Sequence, residues 1–105
     1  MDLSELYRLT KQNETADILR RAKALIDTPE KWCQHSMKVG DRICSIYALN
    51  SIDVYGYQRY GNFLVRAAME LFGHYPSIVN SLGHAETMQM WDRAIELAEQ
   101  GSEPL

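Results

Sequence analysis

The side chains in this sequence that most readily carry out chemistry are two cysteines and three histidines: Cys33, His35, Cys44, His74 and His84. A zinc site needs thiolates or imidazoles at short spacings such as C-x-x-C or H-E-x-x-H, and neither spacing occurs here. Cys33 and His35 form a local pair of a nucleophile and a base, but neighbours this close in sequence rarely take up the required geometry. The sequence therefore predicts no metal site, no cofactor and no catalytic residue.

A second candidate for a functional segment is YGYQRYGN, residues 55–62. Its three tyrosines and one arginine could stack on nucleic-acid bases, form a protein-binding hot spot or lie in the core of a helical fold. If a helix runs through residues 57–72, its apolar side chains form one stripe. That stripe comprises Tyr57, Tyr60, Leu64, Ala67, Ala68 and Leu71. The opposite face carries Arg59, Asn62, Arg66 and Glu70. Because this separates aromatic rings from arginines, the pattern favours Tyr57 and Tyr60 at the edge of the core. Tyr55, Arg59 and Arg66 are then predicted to bind a protein partner.

Charge is unevenly distributed along the chain. The net charge is −3, yet residues 86–105 carry five acidic residues against one arginine, which gives −4 for that segment. Such a balance excludes a polybasic nucleic-acid binder, so we expect no direct nucleic-acid partner. Four of those acids, Glu86, Asp92, Glu96 and Glu99, are predicted to form a helix face that either meets a basic partner surface or simply aids solubility.

The elements that position these residues are predicted to be helices, since no segment alternates with period two. Strong helical patterns cover residues 14–27, 41–54, 57–72 and 84–100, and a weaker one covers 4–11. The predicted N-caps are Ser4, Asn13 and Asp41, and Gly101 is predicted to end the last helix. The fold class is therefore an all-α, compact, single-domain bundle of about four main helices, spanning residues 1–105.

Residues 41–54 are apolar around most of the helical wheel, which predicts a largely buried central helix. The last helix is apolar over half of its surface, which permits a homodimer. Residues 1–3 and 101–105 are expected to be flexible. No apolar run is long enough to span a membrane and the first residues do not resemble a signal peptide, so we expect a cytoplasmic protein with reduced cysteines.

Three segments together resemble a family of short bacterial and phage proteins of unknown function. They are RRAKALIDTPEKWCQ, CSIYAL and IVNSLGHAETMQMWDRAIELA, together 42 of the 105 residues. Trp32 and Gln34 match a W-x-Q element of that family. Cys44, Ala48 and Leu49 match its C-A-x-G-A-L helix. Asn80 matches its W-N-D element, and residues 92–95 match a final DRAI-like element. Tyr47 stands where the family has glycine, and Ser81 where it has aspartate. The resemblance implies a helical fold and a bacterial or mobile-element setting, but no activity.

Three functions remain open. The first is a non-enzymatic interaction protein. Its sharper form is a phage or mobile-element inhibitor of a bacterial defence complex such as a CRISPR effector, which it would bind through the acidic face. The second is a small-ligand binder or enzyme with a pocket near Trp32, Gln34, Asn80 and His84, which requires those side chains to converge. The third is a helix-turn-helix regulator that uses Arg59 and Arg66.

Overall fold

A continuous helix of 22 residues, α1 (Leu3–Ala24), opens the fold. The computed structural model describes residues 2–101, so the predicted flexibility of residues 1 and 102–105 lies outside the described residues. The prediction of a break near residue 13 is wrong, because residues 10–13 contain neither glycine nor proline. Asn13 and Ser4 therefore lie inside α1. The N-cap is Asp2, whose carboxylate accepts a hydrogen bond of 2.8 Å from the backbone N–H of Glu5.

A short hairpin stands where the start of the second long helix was predicted. After a 3₁₀ turn at Pro29–Lys31, strand β1 (Lys38–Val39) pairs with β2 (Arg42–Ile43) in antiparallel register. Gly40 has a φ of 61°, which a two-residue hairpin turn readily uses. Helix α2 (Ser45–Ile52) starts only at Ser45, so Asp41 is not its cap.

The third and last predicted helices are confirmed as α3 (Gly56–Phe72) and α5 (His84–Glu99). Gly101, with a φ of 73°, follows the end of α5 as expected. The predicted connection between them contains a further helix, α4 (Pro76–Leu82), which begins with proline in its first turn. The described chain is thus all-α apart from the small hairpin, and it has five α-helices rather than four.

The central helix is α5, which packs against α1, α3 and α4. Its buried residues are Thr87, Met90, Trp91, Ala94, Ile95, Leu97 and Ala98. Residues 41–54 do not form the predicted central helix, because the hairpin takes their first third and leaves α2 with eight residues. The apolar half of α5 packs largely within the chain, and the homodimer that its sequence pattern permitted stays a prediction.

Helix α3 packs closely on α2. A Cβ at Gly56 would collide with the carbonyl group of Leu49, so only glycine fits this crossing. Tyr57 and Tyr60 are half-buried and pack against the core, as their place on the stripe predicts, whereas Leu71 is exposed. No helix in the described part of the chain is both long and apolar enough to cross a membrane.

Candidate functional site

The predicted pocket residues do come together, around the amide of Asn80 on α4. The indole Nε1 of Trp32 donates a hydrogen bond of 2.9 Å to Asn80 Oδ1, and Ser45 donates to the same oxygen from its Oγ (2.9 Å) and its backbone N (3.3 Å). Asn80 Nδ2 donates to the carbonyl oxygens of Cys33 (2.9 Å) and Gln34 (3.0 Å). Asn80 is buried, and we call this set of contacts the Asn80 network.

Two further side chains, Trp91 and His84, extend the Asn80 network. Trp91 Nε1 on α5 donates to Ser45 Oγ over 2.9 Å. The ring of His84 meets Trp32 edge-on at a centroid distance of 5.3 Å, and His84 Nε2 lies 2.8 Å from the carbonyl oxygen of Ile26. The network therefore ties the loop after α1 to the start of α2, to α4 and to α5.

The hydrogen-bonding capacity of Asn80 is fully used by the fold. Both of its amide protons are donated and its oxygen accepts from two residues. Across residues 2–101 no buried side-chain nitrogen or oxygen lacks a partner. Since leaving such an atom unpaired costs about 1–3 kcal/mol, the geometry stabilises the fold and leaves little capacity for a substrate.

A cleft of about 180 Å³ lies beside the network, and Gln34, His35, Cys44 and Asn80 contribute to its lining. Cys33 and Cys44 are both buried free thiols. No group of three or more metal-ligating side chains occurs among the described residues.

Three of the four acids of the predicted acidic face, Asp92, Glu96 and Glu99, are exposed and form ion pairs within the chain, whereas Glu86 is half-buried. Asp92 pairs with Lys23, and Glu99 pairs with Arg20. The pairs connect α5 to α1, so the charge on this face is partly compensated. Glu86 lies apart from them, in the first turn of α5.

Arg93 on α5 bridges two acids. Its guanidinium lies 3.4 Å from Glu96 and donates two hydrogen bonds, of 2.9 and 3.1 Å, to Glu70 on α3. The hydrogen bond from Arg93 lowers the pKa of Glu70, and the same bond raises the pKa of Arg93. This cluster is an ordinary surface contact between α3 and α5.

The predicted Tyr–Arg patch is exposed at the start of α3. The guanidinium of Arg59 lies 5.9 Å from the ring centre of Tyr55 and 3.2 Å from the carboxylate of Asp53. Arg66 is also exposed, about two turns further along the same helix. Tyr55 and Arg59 thus form a local surface cluster, while Arg66 lies apart from it.

The largest exposed apolar surface on α1 was not predicted. Every residue from 3 to 11 is exposed, and the first buried residue of the helix is Ala16. This segment, the α1 arm, carries Leu3 at 84% exposure, Leu6 at 49% and Tyr7 at 66%, together with Leu9. The spacing of residues 3, 6 and 7 places three of these side chains on one side of the helix, a signal already present in the sequence.

A groove of about 470 Å³ separates the α1 arm from the start of α3. Its lining residues are Tyr7, Arg8, Lys11, Gln12, Thr15, Arg59, Tyr60, Asn62, Phe63, Ala98 and Gly101. None of the acids in the described part of the chain lines this α1–α3 groove.

Comparison of the chain with protein-family models, with curated proteins and with solved structures finds no match.

Proposed function

We propose that this chain is a non-enzymatic interaction protein that binds a cytoplasmic protein partner through the α1 arm and the adjoining start of α3. The observation that carries the proposal is the α1 arm, which exposes four large apolar side chains and buries none of its own residues. The predicted partner-binding residues Tyr55 and Arg59 lie at the start of α3, which forms the facing wall of the same groove.

The α1 arm has an exposed apolar side that a partner could cover. A helix of this length is only marginally stable in water without tertiary packing. Clustered apolar side chains that a fold leaves exposed commonly mark an interaction site. A partner that accepts the arm in an apolar groove would cover these side chains and fix the helix, as in helix-in-groove recognition.

In the narrower form of the proposal, the partner is a nucleic-acid-handling complex of a bacterial defence system, and the chain comes from a phage or another mobile element. Its support is the family resemblance and the exposed carboxylates of Asp92, Glu96 and Glu99 on α5. Their ion pairs with Lys23, Arg93 and Arg20 reduce the net charge that this face presents. The α1 arm is therefore the better-supported contact surface.

The test is affinity capture from a lysate of the natural host, with captured proteins identified by mass spectrometry. The full chain is compared with the double variant Leu3→Gln, Leu6→Gln, and with the matched control Leu71→Gln, Leu82→Gln, which changes exposed leucines elsewhere. We expect one stoichiometric partner that the arm variant loses and the control retains. A partner that both variants retain would show that the arm is not the contact surface, and an empty capture at low salt would contradict the proposed function.

The small-ligand alternative has one observation in its favour, the convergence of Trp32, Gln34, Asn80 and His84 beside a small cleft. The saturated hydrogen bonds of Asn80 count against it, since a ligand would have to replace bonds that hold the fold together. We therefore place the interaction function first.

A further inference from the structure

We infer that the α1–α3 groove binds an acidic segment of the partner protein, one that carries apolar side chains between its carboxylates. This inference rests on the proposed function and specifies the chemistry of the partner. The lining of the groove combines three cations with three aromatic rings.

The charge of the groove is opposite to that of the chain. Arg8, Lys11 and Arg59 line it and no described acid does, although the chain as a whole carries −3. Arg8 takes part in no ion pair within residues 2–101. The concentration of positive charge in one concave place is what an acidic partner would recognise.

The ion pairs at the rim of the groove are of the kind that a partner can replace. Lys11 lies 3.7 Å from Glu14 and Arg59 lies 3.2 Å from Asp53, with both cations more than half exposed. Exposed pairs of this type contribute about 0–1 kcal/mol each. A carboxylate that approaches in the partly desolvated groove can therefore compete for both cations.

The aromatic rings provide the apolar part of the contact. Tyr7 is exposed, Tyr60 and Phe63 are half-buried, and Lys11 Nζ lies 5.6 Å from the ring centre of Tyr7. Aromatic and arginine side chains next to one another are typical of binding hot spots. Gln12 and Asn62 add amide groups that can pair with a peptide backbone.

Both walls of the groove belong to helices that pack against α5, since α1 and α3 each contact it. Gly101 follows α5 with a φ of 73°, a backbone conformation that favours glycine, and it lies next to the side-chain amide of Gln12.

A peptide fits these features better than a nucleic acid does. Three cations can neutralise a few carboxylates, whereas nucleic-acid affinity depends on neutralising many phosphates. Glu14 and Asp53 at the rim would also repel a polyanion that extends beyond the groove.

The experiment selects binders of the full chain from a yeast-displayed library of random peptides. The selected peptides are then synthesised, and their Kd values are measured by fluorescence anisotropy at low and high salt. The groove variants are Lys11→Glu, Arg59→Glu and the milder Lys11→Gln, Arg59→Gln. The control is Arg21→Glu, Arg42→Glu, which changes two exposed cations outside the groove. Circular dichroism checks that each variant keeps its helices, and an oligouridylate serves as the nucleic-acid competitor.

We expect the selected peptides to be enriched in Asp and Glu beside Leu or aromatic residues. The charge-reversed groove variant should bind them about tenfold more weakly or worse, the neutral variant should be intermediate, and the control should be unchanged. Peptides without acidic enrichment, acidic peptides that ignore the groove variants, or oligouridylate that binds the groove more tightly would each overturn the inference. A host partner that needs Leu3 and Leu6 but ignores the groove charges would overturn the inference alone and leave the proposed function standing.

Discussion

The Asn80 network and the α1 arm differ in how far the chain itself covers their side chains. Around Asn80, four of the five hydrogen bonds are buried and one is part-buried, and all five are made within the chain. Along the α1 arm, four large apolar side chains are exposed to water. The Asn80 network therefore needs no further binding partner, whereas the α1 arm leaves apolar surface that a partner could cover.

This difference indicates which of the two regions is the better candidate for binding a partner. The pocket hypothesis required Trp32, Gln34, Asn80 and His84 to converge, and they do, yet the hydrogen bonds of Asn80 are all made within the chain and stabilise the fold. The surface that the fold leaves incomplete is the better candidate for a partner. Four predictions test this comparison, beginning with the largest expected effect.

Replacing Asn80 tests whether its network is structural. In Asn80→Ala, Trp32 and Ser45 lose an acceptor and two carbonyl oxygens lose a donor, so we expect the free energy of unfolding to fall by about 3 kcal/mol or more. Urea unfolding followed by circular dichroism measures the change. The control Asn13→Ala, at an exposed position inside α1, should be neutral or slightly stabilising. A loss below about 1 kcal/mol for Asn80→Ala would show that the network is dispensable for folding.

The Ser45 hydroxyl group accepts a hydrogen bond from Trp91 Nε1 and donates one to Asn80 Oδ1. In Ser45→Ala the buried Nε1 of Trp91 loses its acceptor, and we expect a loss of about 2 kcal/mol in the same assay. The matched control is Ser51→Ala, where an exposed hydroxyl donates only to the carbonyl of Tyr47. Equal effects of the two substitutions would contradict the special role of Ser45.

The α1 arm should show the reverse behaviour. Leu3→Gln, Leu6→Gln removes exposed side chains, so the free energy of unfolding should change by less than about 0.5 kcal/mol while partner capture is lost. Leu19→Ala, at a fully buried position of the same helix, should cost about 2–5 kcal/mol. A large stability loss in the arm variant would mean that the arm packs within the fold.

The pair of Glu70 and Arg93 should give the smallest effect. Because the folded-state pKa of Glu70 is lowered by Arg93, the pair stabilises the fold at neutral pH, and this contribution disappears as the pH falls through that pKa. We expect Glu70→Gln to unfold at slightly lower urea than the unaltered chain at pH 7, with the difference vanishing in acid. Glu30→Gln, which removes an exposed carboxylate elsewhere in the chain, is the control for the loss of one negative charge. A Glu70→Gln difference that grows in acid would contradict the sign of the shift.

Strong helical periodicity predicted most of the fold. The bounds of α3 and α5 follow from regular apolar stripes that end near Gly73 and Gly101. The break proposed at Asn13 failed because a capping residue also fits inside a helix when its neighbours favour helix. The hairpin at 38–43 was missed because strands of two residues are too short to show a period.

The candidate sites were predicted unevenly for a related reason. Trp32 and Asn80 were among the predicted pocket residues, whereas Ser45, which bonds Asn80, and Trp91, which bonds Ser45, were not. The α1–α3 groove was not predicted at all, since its walls come from residues 7–12 and 59–63, about fifty positions apart. Periodicity identifies which side of a helix is apolar but does not show whether the fold covers it.

The most direct test of the proposed contact surface is photo-cross-linking in host cells. A benzoylphenylalanine is introduced at Leu6 in one variant and at Leu71, an exposed leucine of α3, in another. We predict a discrete cross-linked adduct of one partner protein from position 6 and none from position 71. Absence of an adduct from position 6, or the same adduct from both positions, would contradict the assignment of the α1 arm as the contact surface.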